Sequence, residues 1–139
     1  MVDFNYQFDF KLTDEIYFSK WLDAIASSEN KSIGDLSYVF CTDEFLLDIN
    51  QQYLNHDTLT DIITFDYCDD QLIHGEIYIS IDRVKENASD FQVTFTEELL
   101  RVMAHGLLHL LGYGDKLDEE KVIMRLKEDE KINMFHVKQ

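Results

Sequence analysis

The chain has 139 residues, which fits one domain spanning 1–139 and leaves little room for two. Its formal charge of −16, from 28 acidic and 12 basic residues, keeps it soluble and argues against non-specific nucleic-acid binding, which needs Lys and Arg to displace counterions. With 45% hydrophobic residues, two isolated cysteines and no apolar run near the ~18 residues of a membrane helix, the composition excludes disorder, a disulfide framework and a membrane span.

In chain order, Val2, Phe4, Tyr6, Phe8 and Phe10 alternate, the period of a half-buried strand over 2–10. This opening stretch lacks a basic region and is not a secretory signal, so a cytoplasmic location is expected. Thr13 is placed to cap a helix that opens on Asp14 and Glu15 and buries Phe18, Trp21, Leu22 and Ile25. Gly34 is expected to break the chain before a strand over 36–42. A helix over 43–54 should then turn Phe45, Leu46, Ile49 and Tyr53 inward.

After a polar turn, 61–67 and 76–81 read as strands that pair across a short loop. Helical periodicity resumes at 82–90. Thr94 with Glu97 forms a capping box for a helix that runs to about Leu111 and stops at Gly112. A last helix covers about 118–134. Strands mixed with helices in this order predict one α+β domain, a mixed sheet of about four strands packed with helices.

The informative stretch is RVMAHGLLHLLGYGDKLD, 101–118. His105 and His109, four apart on a helix, project from one face a turn apart. Such a pair by itself is often an amphipathic accident. Here the helix is strongly apolar, where two unpartnered imidazoles are costly to bury. Gly112 then lets the chain turn back, and Asp115 can return a carboxylate to the same point. Two imidazoles and one carboxylate make three zinc ligands and leave a fourth position for water, the mark of a catalytic site.

HGLLHLLGYGD, 105–115, resembles the H-G-x-L-H-L-x-G-Y-x-H signature of the YbeY family. TDIITFDY, 60–67, is similar to the family's T-[DN]-V-L-S-F segment, and HGEIYISIDRV, 74–84, to its G-[DE]-I-x-I-S strand and following helix. Met124 with Glu128 sits where the family carries M-x-x-x-E. The resemblance implies an α+β fold with one zinc ion between helix and sheet. It also implies a metal-dependent, single-strand endoribonuclease that acts in small-subunit rRNA 3′ maturation and ribosome quality control, with ribosomal RNA and the small ribosomal subunit as partners.

The chain departs from that pattern in two places. Asp115 stands where the family has its third histidine; its charge lowers the acidity of metal-bound water and admits a harder metal. Tyr53-Leu54 stands where the family has Tyr-Arg, so a group expected to contact phosphate is missing, and His56 is the nearest partial replacement.

Asp61 and Glu76 each open a strand in a family-like segment and are candidate catalytic acids, to fix a ligand histidine or accept a proton; an ordinary strand-end carboxylate is the alternative for both. Arg83, Lys85, Arg101 and Lys116, with Lys121, are candidates for a modest positive groove on an acidic body, against plain solvated surface. His74 and His136 lie outside the motif and read as surface residues, and Cys41 as a small core residue. Two rival functions stay open: a metallopeptidase of metzincin-like ligand spacing, against which Gly106 replaces the required glutamate base, and a non-catalytic ribosome assembly factor, which Leu54 favours.

Overall fold

The computed structural model describes residues 1–54 and 60–137. The elements are β1 (Val2–Tyr6), α1 (Glu15–Ser28), β2 (Ser32–Cys41), α2 (Asp43–Leu54), β3 (Ile62–Asp66), β4 (Leu72–Ser80), α3 (Ile81–Phe91), α4 (Phe95–Leu110) and α5 (Asp118–His136). The sheet runs β1-β2-β4-β3, with β1, β2 and β4 parallel and β3 antiparallel to β4. This is the expected α+β domain with a four-stranded mixed sheet, and 61–67 does pair with the following strand across a short loop.

Alternation along the strands sorts the two faces. Leu36, Tyr38 and Phe40 of β2 and Ile73, Ile77 and Ile79 of β4 point into the main core, with Trp21, Leu22 and Ile25 of α1 and Leu100, Met103 and Leu107 of α4. The Tyr38 hydroxyl, fully buried, donates to the Met103 carbonyl at 2.8 Å and ties the sheet to α4. The opposite face carries a smaller cluster of Cys41, Leu46, Ile49 and Ile63 under α2.

Several boundaries differ from expectation for identifiable reasons. Asp14, not Thr13, caps α1, its carboxylate accepting from the Tyr17 amide at 3.1 Å. Gly34 does not break the chain: β2 begins at Ser32, and the register to β4 shifts between Ile33 and Leu36. A side chain at 34 would collide with the His74 ring, which accepts from the Asp35 amide at 2.9 Å, so the glycine marks a bulge. β1 ends at Tyr6, while Phe8 and Phe10 continue into the aromatic packing around Phe40. Tyr53 and Phe45 are both exposed, because their rings meet Phe65 and Tyr78 on the side of the sheet that α2 only partly covers. Thr94 caps α4 as expected, accepting from the Glu97 amide at 3.1 Å.

Candidate metal centre

Helix α4 lies directly against the sheet because position 106 is glycine. A Cβ there would come within 2.8 Å of both the Ile62 and Ile77 side chains. This close seat turns 106 into the sheet and leaves His105 and His109, on the adjoining stripe, half-buried at the helix surface.

The helix ends in a Schellman motif. Gly112 takes φ +104°, its amide donates to the His109 carbonyl at 3.0 Å, and the Tyr113 amide donates to the Leu108 carbonyl at 3.0 Å. The reversal brings the Tyr113 carbonyl back over α4, where it accepts from His109 Nδ1 at 2.9 Å. Two residues later Asp115 reaches the histidines, its Oδ2 3.2 Å from His105 Nε2 and 3.3 Å from His109 Nε2.

The bonds made by the two Nδ1 atoms decide what the Nε2 atoms can do. A carbonyl only accepts, so His109 Nδ1 carries the proton. His105 Nδ1 lies 2.6 Å from Glu128 Oε2, and an ionised carboxylate likewise only accepts. Both neutral rings therefore present Nε2 lone pairs, 2.9 Å apart and facing the Asp115 carboxylate. With both rings neutral, these three electron-pair donors suit a cation at the point where they converge. Burial works against a proton on His105, but the Glu128 bond and charge, with Asp115 and Asp61, outweigh it and raise its pKa above the ordinary histidine value. The ligand spacings also match a tetrahedral zinc, whose ligands at about 2.0–2.1 Å from the ion lie ~3.3 Å apart. The residues present fit the metal.

The site opens into a cleft of about 320 Å3 between α4, the start of β3, the end of α3 and α5. Its carboxylates are Asp61, Glu98, Asp115 and Glu128, and its guanidiniums Arg101 and Arg125. Burial raises the Asp61 pKa; His105 opposes this, while Glu128 and Asp115 add to it. Glu98 is also raised, first by burial and then by Asp61.

The family model for "Endoribonuclease YbeY" matches residues 5–136. The chain belongs to the YbeY family. It is 58% identical over 139 residues to an "Endoribonuclease YbeY" of Flavobacterium psychrophilum, covering 100% of this chain and 99% of the relative. It is 55% identical to another from Flavobacterium johnsoniae, covering both chains completely. The solution structure of TM1509 from Thermotoga maritima superposes with a TM-score of 0.70 at 26% identity, covering 97% of this chain and 89% of that one.

Against this YbeY framework the candidate residues separate. His105, His109 and Asp115 come together, and Asp61 lines the same cleft. Glu76 does not: it sits on the α2 face of β4 beside Tyr78, opposite the isoleucines that meet α4, because a one-residue offset on a strand reverses the face. His56 lies outside the described residues. Of the basic candidates only Arg101 lines the cleft, paired to Glu128 at 2.9 Å and Asp129 at 2.8 Å. Arg83 is held by Asp43 at 3.2 Å, and Lys85 and Lys116 are exposed outside the lining. The expected positive groove is thus corrected to a cleft in which acids outnumber arginines, so any local positive charge must come chiefly from a bound ion. The residue reading missed Arg125, Glu98 and the part played by Glu128. Only Glu128 carried a signal, through the M-x-x-x-E pattern of the last helix.

Proposed function

We propose that this chain is a zinc-dependent, single-strand endoribonuclease of small-subunit rRNA 3′ maturation and ribosome quality control, working in the cytoplasm as one domain. The observation that carries it is the convergence of His105 Nε2, His109 Nε2 and Asp115 Oδ2 within an open cleft, in a chain of an endoribonuclease family. One zinc ion held by those three residues would supply a Lewis acid and an acidified water for attack on a phosphodiester.

The chain's own residues do the rest. Glu128 and the Tyr113 carbonyl keep both ligand rings in the tautomer that offers Nε2. Asp61, half-buried at the cleft wall and inclined to hold a proton, exchanges one with the reacting water or the leaving oxygen. Arg101 and Arg125 offer guanidinium donors to phosphate oxygens. With acids in the majority, RNA binding is weak and salt-sensitive, so the small ribosomal subunit supplies much of the affinity. Among the described residues no helix is long and apolar enough to cross a membrane, and the two free cysteines suit a reducing compartment.

Position 106 faces Ile62 and Ile77, so a glutamate base could not reach a metal from there, which counts against the peptidase reading. The test is incubation of the purified protein with single-stranded RNA, structured RNA and casein, each with and without chelator. Chelator-sensitive cleavage of single-stranded RNA is expected, and cleavage of casein alone would reverse the assignment. Leu54, exposed at the end of α2, separates enzyme from assembly factor. Leu54→Arg should raise RNA turnover; if both forms are inert while ribosome binding persists, the catalytic role fails.

A further inference from the structure

From the structure we infer that Glu29, at the end of α1, is a positioning residue for the metal ligands: it holds the Tyr113 hydroxyl and so fixes the turn that orients His109 and delivers Asp115. The inference rests on reading His105, His109 and Asp115 as metal ligands, and it reaches a residue far from them in sequence.

The contacts form one continuous path. Tyr113 donates its hydroxyl to Glu29 Oε1 at 2.7 Å. The other oxygen, Oε2, accepts from Lys131 Nζ at 2.9 Å and Lys127 Nζ at 3.1 Å. Lys131 is 1% exposed, also donates to Ser28 Oγ at 2.9 Å, and its carbonyl accepts from Trp21 Nε1 at 2.7 Å. Lys127 further caps the Tyr113 ring, 5.6 Å above its centroid. Tyr113 is therefore gripped at its hydroxyl by Glu29 and on its face by Lys127, both half-buried beside the buried Lys131.

That grip matters because Tyr113 is the first residue past the positive-φ Gly112. Its carbonyl faces His109 Nδ1 only if the peptide plane after Tyr113 keeps one orientation, and the Schellman bonds hold the plane before Tyr113, through its amide, rather than that one. The side-chain anchor supplies the missing constraint. Lys127 and Lys131 lie on α5, which also carries Glu128, so one helix sets the orientation of both imidazoles: His105 directly and His109 through Glu29 and Tyr113.

The experiment measures zinc affinity by chelator competition, together with metal-free thermal stability, for wild type, Tyr113→Phe, Glu29→Ala, the double variant and Asp14→Ala. Asp14→Ala removes the cap at the far end of the same helix α1 and serves as a control for stability loss alone. Tyr113→Phe should bind zinc about tenfold more weakly, through faster release. Glu29→Ala should match it, and the double variant should be no weaker than either single one. Asp14→Ala should lose stability and keep wild-type zinc affinity. If Glu29→Ala does not fold, the comparison of Tyr113→Phe with Asp14→Ala decides alone.

Zinc binding by Tyr113→Phe equal to wild type, or an equal loss in Asp14→Ala, overturns the inference and leaves the nuclease reading intact. The expected affinity pattern in a wild type that cleaves no RNA upholds it and sinks the nuclease reading. A wild type that takes up no zinc overturns both.

Discussion

His105 and Glu128 meet Nδ1 to Oε2 at 2.6 Å across the packing seam of α4 and α5, while the other oxygen of that carboxylate accepts from Arg101 at 2.9 Å. One buried carboxylate thus sets the tautomer of a candidate metal ligand and steadies a cleft arginine. Glu128→Gln keeps the shape but has one acceptor oxygen for two donors, and its amide nitrogen would face either the imidazole N–H or the guanidinium. Zinc affinity should fall roughly 10- to 100-fold, as for comparable partners of metal ligands, with the fold retained. Chelator competition beside a circular dichroism melt checks this, and an unchanged affinity would remove Glu128 from the site.

Gly106 is a packing residue inside the candidate metal-binding motif. Gly106→Ala gains helix propensity of at most about 1 kcal/mol. It also places a Cβ 2.8 Å from Ile62 and Ile77, an overpacking that costs about 1–3 kcal/mol. Net destabilisation is expected, read as a lower urea midpoint at constant slope. Because α4 would have to lift from the sheet, zinc affinity should weaken in parallel, and Gly106→Val should be worse on both counts.

How far the sequence reveals this site depends on how local each signal is. The histidine spacing, the Gly112 stop and the Thr94 cap are set by helix geometry within one or two turns, so they are legible along the chain and the structure agrees. Glu128 and Glu29 act only once α5 has folded against α4 and α1, and apart from the M-x-x-x-E pattern that marks Glu128 the sequence carries no trace of that docking. Glu76 was misplaced because strand alternation gives two faces without saying which one α4 covers. Gly34 read as a breaker because a bulge and a strand end share the same residue. Arg83 reads as a groove candidate because its partner, Asp43, lies 40 residues away.

Acid should loosen the α1–α5 anchor late, because Glu29 keeps its charge below the ordinary carboxylate range. Burial alone would raise the Glu29 pKa, but its bonds from Tyr113, Lys131 and Lys127 win and lower it from 4.5 to about 2. A carboxylate with a depressed folded-state pKa contributes stability that is fully present above its unfolded value and lost as pH falls through the folded one. The Glu29 contribution should therefore fade from about pH 4.5 to about pH 2. Urea unfolding at pH 7, 4 and 3 should show Glu29→Gln losing most relative to wild type at pH 7 and converging with it at low pH. A gap that stays constant over that range would show that the ion pairs add nothing.

Asp61 tests whether the cleft does more than hold a cation. It immediately precedes β3, its carbonyl accepts from the Ser80 amide at 2.9 Å, and its carboxyl lines the cleft with His105 and Asp115. It is not one of the three converging ligands, so Asp61→Asn should keep zinc stoichiometry. An amide of the same size cannot take or release a proton, and removing a proton-transfer group typically costs about 10²- to 10⁴-fold in the chemical step. Single-turnover cleavage of single-stranded RNA, with zinc content measured on the same samples, separates the two effects. A rate loss with full zinc loading assigns Asp61 a chemical role, because a merely structural carboxylate would lower stability or metal content first. Cleavage at the wild-type rate with zinc bound would leave Asp61 an ordinary strand-end acid and move the search for the proton acceptor to Glu98, its buried neighbour in the cleft.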